Sequence, residues 1–506
     1  MSAPSTETRS FETLAGRGDY LGGRFVAVPP ATADGVIERV SPRDFADVVG
    51  RYLYREQAVD QAVAHARAAF PAWSLRPLEE RSALLRELKR VIAARAAEFA
   101  LLLTREIGKP LWEAESEVSA ALAKIDVTLS DGLALVQARE MGSRAQRYAF
   151  KPHGVAAVLG PFNFPLHLVH GHVVPALVTG NTVVVKPSEL APGVGQLYAE
   201  CFDAAGFPAG VFNLVQGAGA SGARLAAHPD VDVVMLTGSY AVGQSVKRAT
   251  LEQPHKLLAL ELGGRNPAIV LADADLDKAV HDVLWGAFVT AGQRCSGTAV
   301  ALVERSLFEP FAEKLQAKLA GLRVGDPLAP GVFMGPLISD AARARYLAAL
   351  DSAERAGVEL LARGAIADVA LAGAYVEPTV HRLGEPKGNA YERDELFGPD
   401  LALELVDDLE HAIQRANDSP YGLSASVFGA SEIAFEHALA RLRHGCVNWN
   451  APTCGASSRL PFGGTGKSGN HRPAALFSTL YATYPVASIR GPLTLDSSKL
   501  SPGFSW

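Results

Sequence analysis

Sulfur is scarce in this sequence, and long apolar runs are missing. Four cysteines and four methionines occur among 506 residues. Cys201, Cys295, Cys446 and Cys454 show no metal-ligand spacing, and four thiols in so long a chain are too sparse for a disulfide framework. No metal site is expected, and the default compartment is a reducing cytoplasm. No apolar run approaches the roughly 18 residues of a membrane span, so no membrane association is expected. The opening MSAPSTETRS has no apolar signal core, which argues against a secretory leader. Positive charge is not in excess, since the formal net charge is −6. A nucleic-acid partner, which would leave a basic patch, is therefore not expected. Internal repeats, low-complexity tracts and long charge blocks are absent too.

What is present is a globular mix, 48% hydrophobic and 20% charged, in a chain long enough for two or three domains. From about residue 56 to 128 the apolar spacing is helical, first in AVDQAVAHARAAF and then in the stretch opened by Pro77 and closed near Gly108 and Pro110. From about residue 151, short β-rich runs alternate with helical ones: GVAAVLG, NTVVVKP, VFNLVQ, VDVVMLTG. Such runs predict a parallel sheet covered on both faces. A second alternating region starts at NPAIVL and extends to about residue 447. The expectation is two α/β domains of similar style.

Two glycine-rich turns compete for a phosphate. Gly217, Gly219 and Gly222 spell G-x-G-x-x-G between a strand-like and a helix-like segment. The acidic residue that should follow at the end of the next strand is missing, because Asp230 and Asp232 lie at its start. A plain turn explains the motif as well. The next strand breaks at Thr237-Gly238-Ser239, with Gly243 about one helical turn on. A strand entering a helix there leaves free N–H groups and a favourable dipole for a pyrophosphate; an ordinary capped helix is the alternative. Lys186 ends NTVVVK, and Glu189, three residues on, could accept from ribose hydroxyls. On their own these two charges read equally as a solvated loop.

At 288–297 the chain reads FVTAGQRCSG, with Cys295 among small residues. A nucleophilic thiol works as a thiolate and must be accessible, and cations or helix amides beside it lower its pKa. Its own backbone amide could hold an oxyanion. A buried structural cysteine is the competing reading. Two further stretches could serve such a thiol. Glu261 ends the apolar run KLLALE ahead of Gly263 and Gly264. Beside the thiol it would be a general base with a raised pKa. Asn163, in GPFNFP, offers a rigid amide as a second oxyanion donor.

Together these stretches resemble the aldehyde dehydrogenase superfamily. FVTAGQRC matches its cysteine signature and LELGG its glutamate signature, while GPFNFP, KPSE, LTGS, DELFGP at 394–399 and PFGG at 461–464 follow in the family's order. The resemblance implies an α/β fold with two Rossmann-like domains and a small oligomerisation arm. The NAD(P)-binding domain would comprise 1–128 and 151–260, the catalytic domain 261–445, and the arm and tail 129–150 and 479–506. It makes Cys295 the nucleophile, Glu261 the base and Asn163 the oxyanion donor. Lys186 and Glu189 would hold the adenosine ribose, and Gly238, Ser239 and Gly243 the pyrophosphate. Glu395 and Phe397 would meet the nicotinamide end, with Leu262 among the cofactor contacts. The G-x-G-x-x-G turn is demoted from principal phosphate contact. The implied cofactor is NAD, which Glu189 favours by repelling a 2′-phosphate. NADP stays possible if that side chain swings away. The implied assembly is a homodimer or homotetramer.

Within the superfamily, VNWN at 447–450, GASS at 455–458 and SGNHRP at 468–473 resemble the branch of N-succinylglutamate semialdehyde dehydrogenases of arginine catabolism. The expected reaction is oxidation of that aldehyde to the acid through a thiohemiacetal and a thioester on Cys295. His471 and Arg472 would hold a carboxylate on the substrate tail, since an arginine fork matches a carboxylate; a structural arginine is the alternative. The rival functions are oxidation of another aliphatic or aromatic aldehyde, a CoA-acylating dehydrogenase, which could dispense with Glu261, and a non-catalytic protein of this fold.

Overall fold

Three strands, Val155–Leu159, Thr182–Lys186 and Val233–Thr237, are buried at every position. That is the requirement of parallel strands covered on both faces. In the computed structural model, which describes residues 11–367, 369–384 and 388–504, they form the centre of a seven-stranded sheet. Its order is Leu257–Glu261, Val233–Thr237, Val155–Leu159, Thr182–Lys186, Phe212–Leu214, closed by the antiparallel hairpin Asp19–Leu21/Arg24–Val26. The MSAPSTETRS start and residues 505–506, the ends of the expected domain division, lie outside the described residues.

The period of two along these strands divides the core. Ala156, Val158, Val183 and Val185 pack with Val173, Val174 and Leu177 of the helix His167–Thr179. Val155, Ala157 and Val184 face the other way, onto Val59, Ala62 and Val63 of the helix Ala58–Leu75. Strand order reverses between Val155–Leu159 and Val233–Thr237. A crevice therefore opens beyond their carboxyl ends, the usual place for a ligand in such sheets. Gly160 to Asn163 leave one side of it, and Gly238 and Ser239 the other.

The four-residue link 262–265 carries the chain from the edge strand of this sheet into a second seven-stranded sheet. There Thr379–Leu383, Asp400–Val406, Thr298–Glu304, Asn266–Val270, Ser424–Phe428 and Cys446–Trp449 run parallel, with Glu359–Arg363 antiparallel at the edge. The helical stretch expected near 56–128 is four helices, Ala58–Leu75, Leu78–Ala94, Ala96–Ile107 and Leu111–Val127. Arg139–Met141, Ser143–Pro152 and Thr483–Ile489 make a separate antiparallel sheet. No helix among the described residues is long and apolar enough to cross a membrane.

Candidate active site

The helix Leu276–Phe288 stops short of the thiol, and the chain then turns sharply. Thr290 and Ala291 adopt left-handed φ values of 58° and 52°. Non-glycine residues in that region cost of order 1 kcal/mol or more each, so surrounding contacts must impose them. Glu113 supplies those contacts. It accepts hydrogen bonds from the Thr290 amide (3.2 Å) and hydroxyl, and it pairs with Arg294 at 2.9 Å. Gln293 ties the turn at both ends of its amide, donating to the Thr290 carbonyl (3.1 Å) and accepting from the Ile338 amide (3.0 Å). Gly292, at φ +69°, presses on another backbone; a Cβ there would stand 2.1 Å from the Gly398 carbonyl oxygen. The signature FVTAGQRC is therefore a description of how the turn is held.

Cys295 follows this turn at the amino end of the strand Thr298–Glu304 and is partly exposed. Its carbonyl accepts from Asn266 Nδ2 at 2.8 Å. A Cβ on Gly264 would lie 2.3 Å from the same oxygen, which is why LELGG must end in a residue without a side chain. The Cys295 amide finds no acceptor among the described residues. Asn163 Nδ2 donates to the Gln293 carbonyl at 2.8 Å, two residues before the thiol, and its second amide hydrogen remains for another acceptor.

The thiol stands at the junction of two cavities. The larger, of about 730 Å³, is lined by Asn163, Lys186, Glu189, Gly238, Ser239, Leu262, Glu395 and Phe397. The smaller, of about 270 Å³, is lined by Glu261, His167, Lys124 and Arg294 among others. Gly243 stays out of the larger cavity: its missing side chain lets the helix Tyr240–Ala249 sit on Leu262, whose Cδ1 is 2.8 Å from the Cβ position. Gly219 and Gly222 of the demoted turn do line that cavity. His471 and Arg472 line neither cavity and are exposed. The left-handed turn at His471 (φ 61°) sends Ala474 and Ala475 to the smaller cavity instead. Arg472 is left with a hydrogen bond to the His471 carbonyl.

The larger cavity suits a dinucleotide. Two helices, Gly219–Ala227 and Tyr240–Ala249, begin at it and present N–H groups suited to phosphate oxygens. Ser239 caps the second, accepting from the Val242 amide. Lys186 pairs with Glu189 at 2.9 Å. Burial would raise the Glu189 pKa, but the lysine outweighs it and holds the carboxylate below its usual range. Glu395 accepts from the Gly264 amide at 2.9 Å, and burial lifts its pKa to about 7. Glu261 is driven well above the ordinary carboxylate range by burial, with Oε2 lacking a hydrogen-bond partner. Burial also raises the Cys295 thiol, and the charges of Glu395 and Glu261 raise it further. Arg294 is turned to Glu113, and the charges of carboxylates, not of a cation, bear on the sulfur.

Residues 30–483 match the aldehyde dehydrogenase family. The chain belongs to that family. Relatives of the aldehyde dehydrogenase include N-succinylglutamate 5-semialdehyde dehydrogenase 1 of Caulobacter vibrioides, 40% identical over 86% of this chain and 92% of the relative. The N-succinylglutamate 5-semialdehyde dehydrogenase of Chromobacterium violaceum is 40% identical over 96% of this chain and 99% of its own. Among solved structures, an NAD-dependent aldehyde dehydrogenase from Sinorhizobium meliloti superposes with a TM-score of 0.90 at 31% identity, covering 100% of this chain and 99% of that one. A cysteine-to-alanine variant of aldehyde dehydrogenase C from Pseudomonas syringae, complexed with NAD+ and octanal, gives 0.88 at 32% identity over 95% and 98% of the two chains. The aldehyde dehydrogenase described here uses NAD(P), and its α/β fold is that of these neighbours.

Sequence reasoning included the helix Leu111–Val127 only in the helical region 56–128 and singled out none of its side chains. It carries Glu113, Glu117 and Lys124, each only 2% exposed. The signal was available: three charged residues at i, i+4 and i+11 share one helical face with apolar neighbours.

Proposed function

We propose that this aldehyde dehydrogenase oxidises N-succinylglutamate 5-semialdehyde to N-succinylglutamate, with NAD as the preferred cofactor, by way of a thioester on Cys295. The observation that carries the reading is the position of Cys295 at the junction of two cavities, Glu261 on one and Asn163 on the other. The names of the relatives above support the substrate.

The thiol first gives up its proton. Glu395 and Glu261, both with raised proton affinity, are the acceptors beside it, and a proton taken by Glu261 passes to solvent before the hydrolytic step. Cys295 Sγ then bonds to the aldehyde carbon, and the carbonyl electron pair moves to oxygen. The free amide hydrogen of Asn163 and the Cys295 amide stabilise that oxyanion. Bound NAD(P)+ supplies the two-electron acceptor for the aldehyde hydrogen, leaving as hydride. The acyl group remains on sulfur as a thioester. Glu261 takes a proton from a water that attacks the acyl carbon, and the C–S bond breaks to return the thiolate and release the acid. Lys186 and Glu189 hold the adenosine ribose. A carboxylate kept ionised at that point repels a 2′-phosphate, which favours NAD over NADP.

The chain works as a homodimer or homotetramer in the cytoplasm on this reading, with the segments 129–150 and 479–506 as the assembly arm. Initial rates of NADH formation across acidic, aliphatic and aromatic aldehydes test the proposal. The highest kcat/KM is expected for N-succinylglutamate 5-semialdehyde, and at least tenfold lower values are expected with NADP+. Preference for an uncharged aldehyde would overturn the substrate assignment. CoA-dependent turnover would overturn hydrolysis.

A further inference from the structure

The smaller cavity contains an unbalanced charge. Glu113 is matched by Arg294 at 2.9 Å, and Glu117 by Lys109 at 2.5 Å. Glu117 is further occupied by the Leu166 and His167 amides, each at 3.1 Å. Lys124, on the same helix face and 2% exposed, has neither an ion pair nor a hydrogen bond among the described residues. A buried cation without a counter-charge is costly unless something else supplies one.

The surroundings of Lys124 are those of a binding pocket. Gly171 lines the cavity opposite it, and a Cβ there would already touch the lysine Cε at 3.7 Å, so a larger side chain would fill this space. His167 lines the same cavity with a buried Nδ1 that has no hydrogen-bond partner. Burial, followed by the charges of Lys124, Lys109 and Arg294, brings its pKa down to about 3, so the ring is neutral and can offer an uncharged donor. Burial alone brings the Lys124 pKa down to about 8, so the ammonium persists at neutral pH and gains from any anion that reaches it. Lys124 lines the same cavity as Cys295, on the helix whose Glu113 grips the cysteine turn, so an aldehyde bound at the sulfur can extend its tail toward the ammonium.

We propose that Lys124 anchors a carboxylate on the tail of the aldehyde, with His167 as a neutral second contact, and so selects acidic substrates. The inference rests on the reading above that the substrate is an acidic aldehyde oxidised at Cys295, and it moves the recognition of its tail from Arg472 to the helix Leu111–Val127. A carboxylate entering the cavity would complete the pairing that Glu113 and Glu117 already have.

Steady-state kinetics of Lys124→Met and Lys124→Arg, with N-succinylglutamate 5-semialdehyde, 5-oxopentanoate and pentanal, test this. Lys124→Met should raise KM for the two acids by about ten- to a hundredfold, the usual loss of a hydrogen bond to a charged group. The kcat and the kcat/KM for pentanal should hold, and Lys124→Arg should recover part of the loss. The methionine variant should fold, since no native partner loses its bond, and an unchanged melting temperature checks it; if it does not fold, Lys124→Gln replaces it. An equal loss on pentanal, or an unchanged KM for both acids, would overturn the anchor. The pair 5-oxopentanoate and pentanal separates the two proposals. If wild type prefers 5-oxopentanoate but not the succinylated aldehyde, and Lys124→Met abolishes that preference, the anchor stands and the named substrate falls.

Discussion

A thiol flanked by carboxylates is a poor nucleophile until its proton is moved, and this sets the pH behaviour. Glu395 has its pKa raised to about 7, and Glu261 lies well above the ordinary range, both through burial. An acid with a raised pKa is neutral below that value and becomes a base only above it. The rate of acid release should therefore go on rising with pH beyond the range, near 5, in which an ordinary carboxylate would level off. Stopped-flow NADH traces at saturating cofactor and aldehyde would show this; a deacylation rate flat from pH 5 upward would contradict a buried Glu261 base. At this scale the sequence was informative where a residue lies in a short motif. Cys295, Glu261 and Asn163 were singled out by glycine, proline and aromatic neighbours that restrict what the backbone can do. Lys124 was not, because a lysine on a helix looks solvated until the tertiary structure buries it. The exposure of Arg472 was not legible either: the left-handed turn at His471 that precedes it has no marker in SGNHRP.

At the level of elements, the helix Leu111–Val127 acts as a clamp on the cysteine turn. Glu113 links that helix to Thr290 and Arg294 across the domain. Burial would raise its pKa, but Arg294 and Lys109 outweigh this and keep it ionised. Removing one member of a buried pair leaves the other charged and alone, which costs about 3–5 kcal/mol. Glu113→Gln should therefore lower the melting temperature by several degrees. It should also cut kcat by an order of magnitude or more, because Thr290 and Ala291 would relax from their left-handed conformation and displace the thiol. Thermal denaturation read beside kcat checks both. A stable variant of full activity would show that the turn holds itself. The strands were legible because three of them are short and apolar but for residues at their ends. The clamp was not, since it joins residues 177 positions apart.

For the whole molecule, two seven-stranded sheets carry the site, and a smaller three-stranded sheet stands apart from it. That small sheet presents Tyr484 (42% exposed) and Ile489 (78% exposed) on the strand Thr483–Ile489. Apolar side chains left open on an edge strand are suited to a second copy of the chain. Sedimentation of the full chain should give a dimer or tetramer, and Ile489→Asp should shift it toward monomer; a wild-type monomer at micromolar concentration would refute the arm. Composition and alternation indicated two α/β units. They could not show that the first unit would deliver Glu261 and Asn163 to a thiol in the second, because that depends on how the link 262–265 folds. That meeting is the central claim, and mass spectrometry of Glu261→Gln tests it most directly. Mixed with NAD+ and N-succinylglutamate 5-semialdehyde and quenched in acid, the variant should carry the N-succinylglutamyl acyl group on the peptide containing Cys295, with about one NADH formed per site. An unmodified Cys295 after NADH has formed, or the acyl group on Cys201, Cys446 or Cys454, would contradict it.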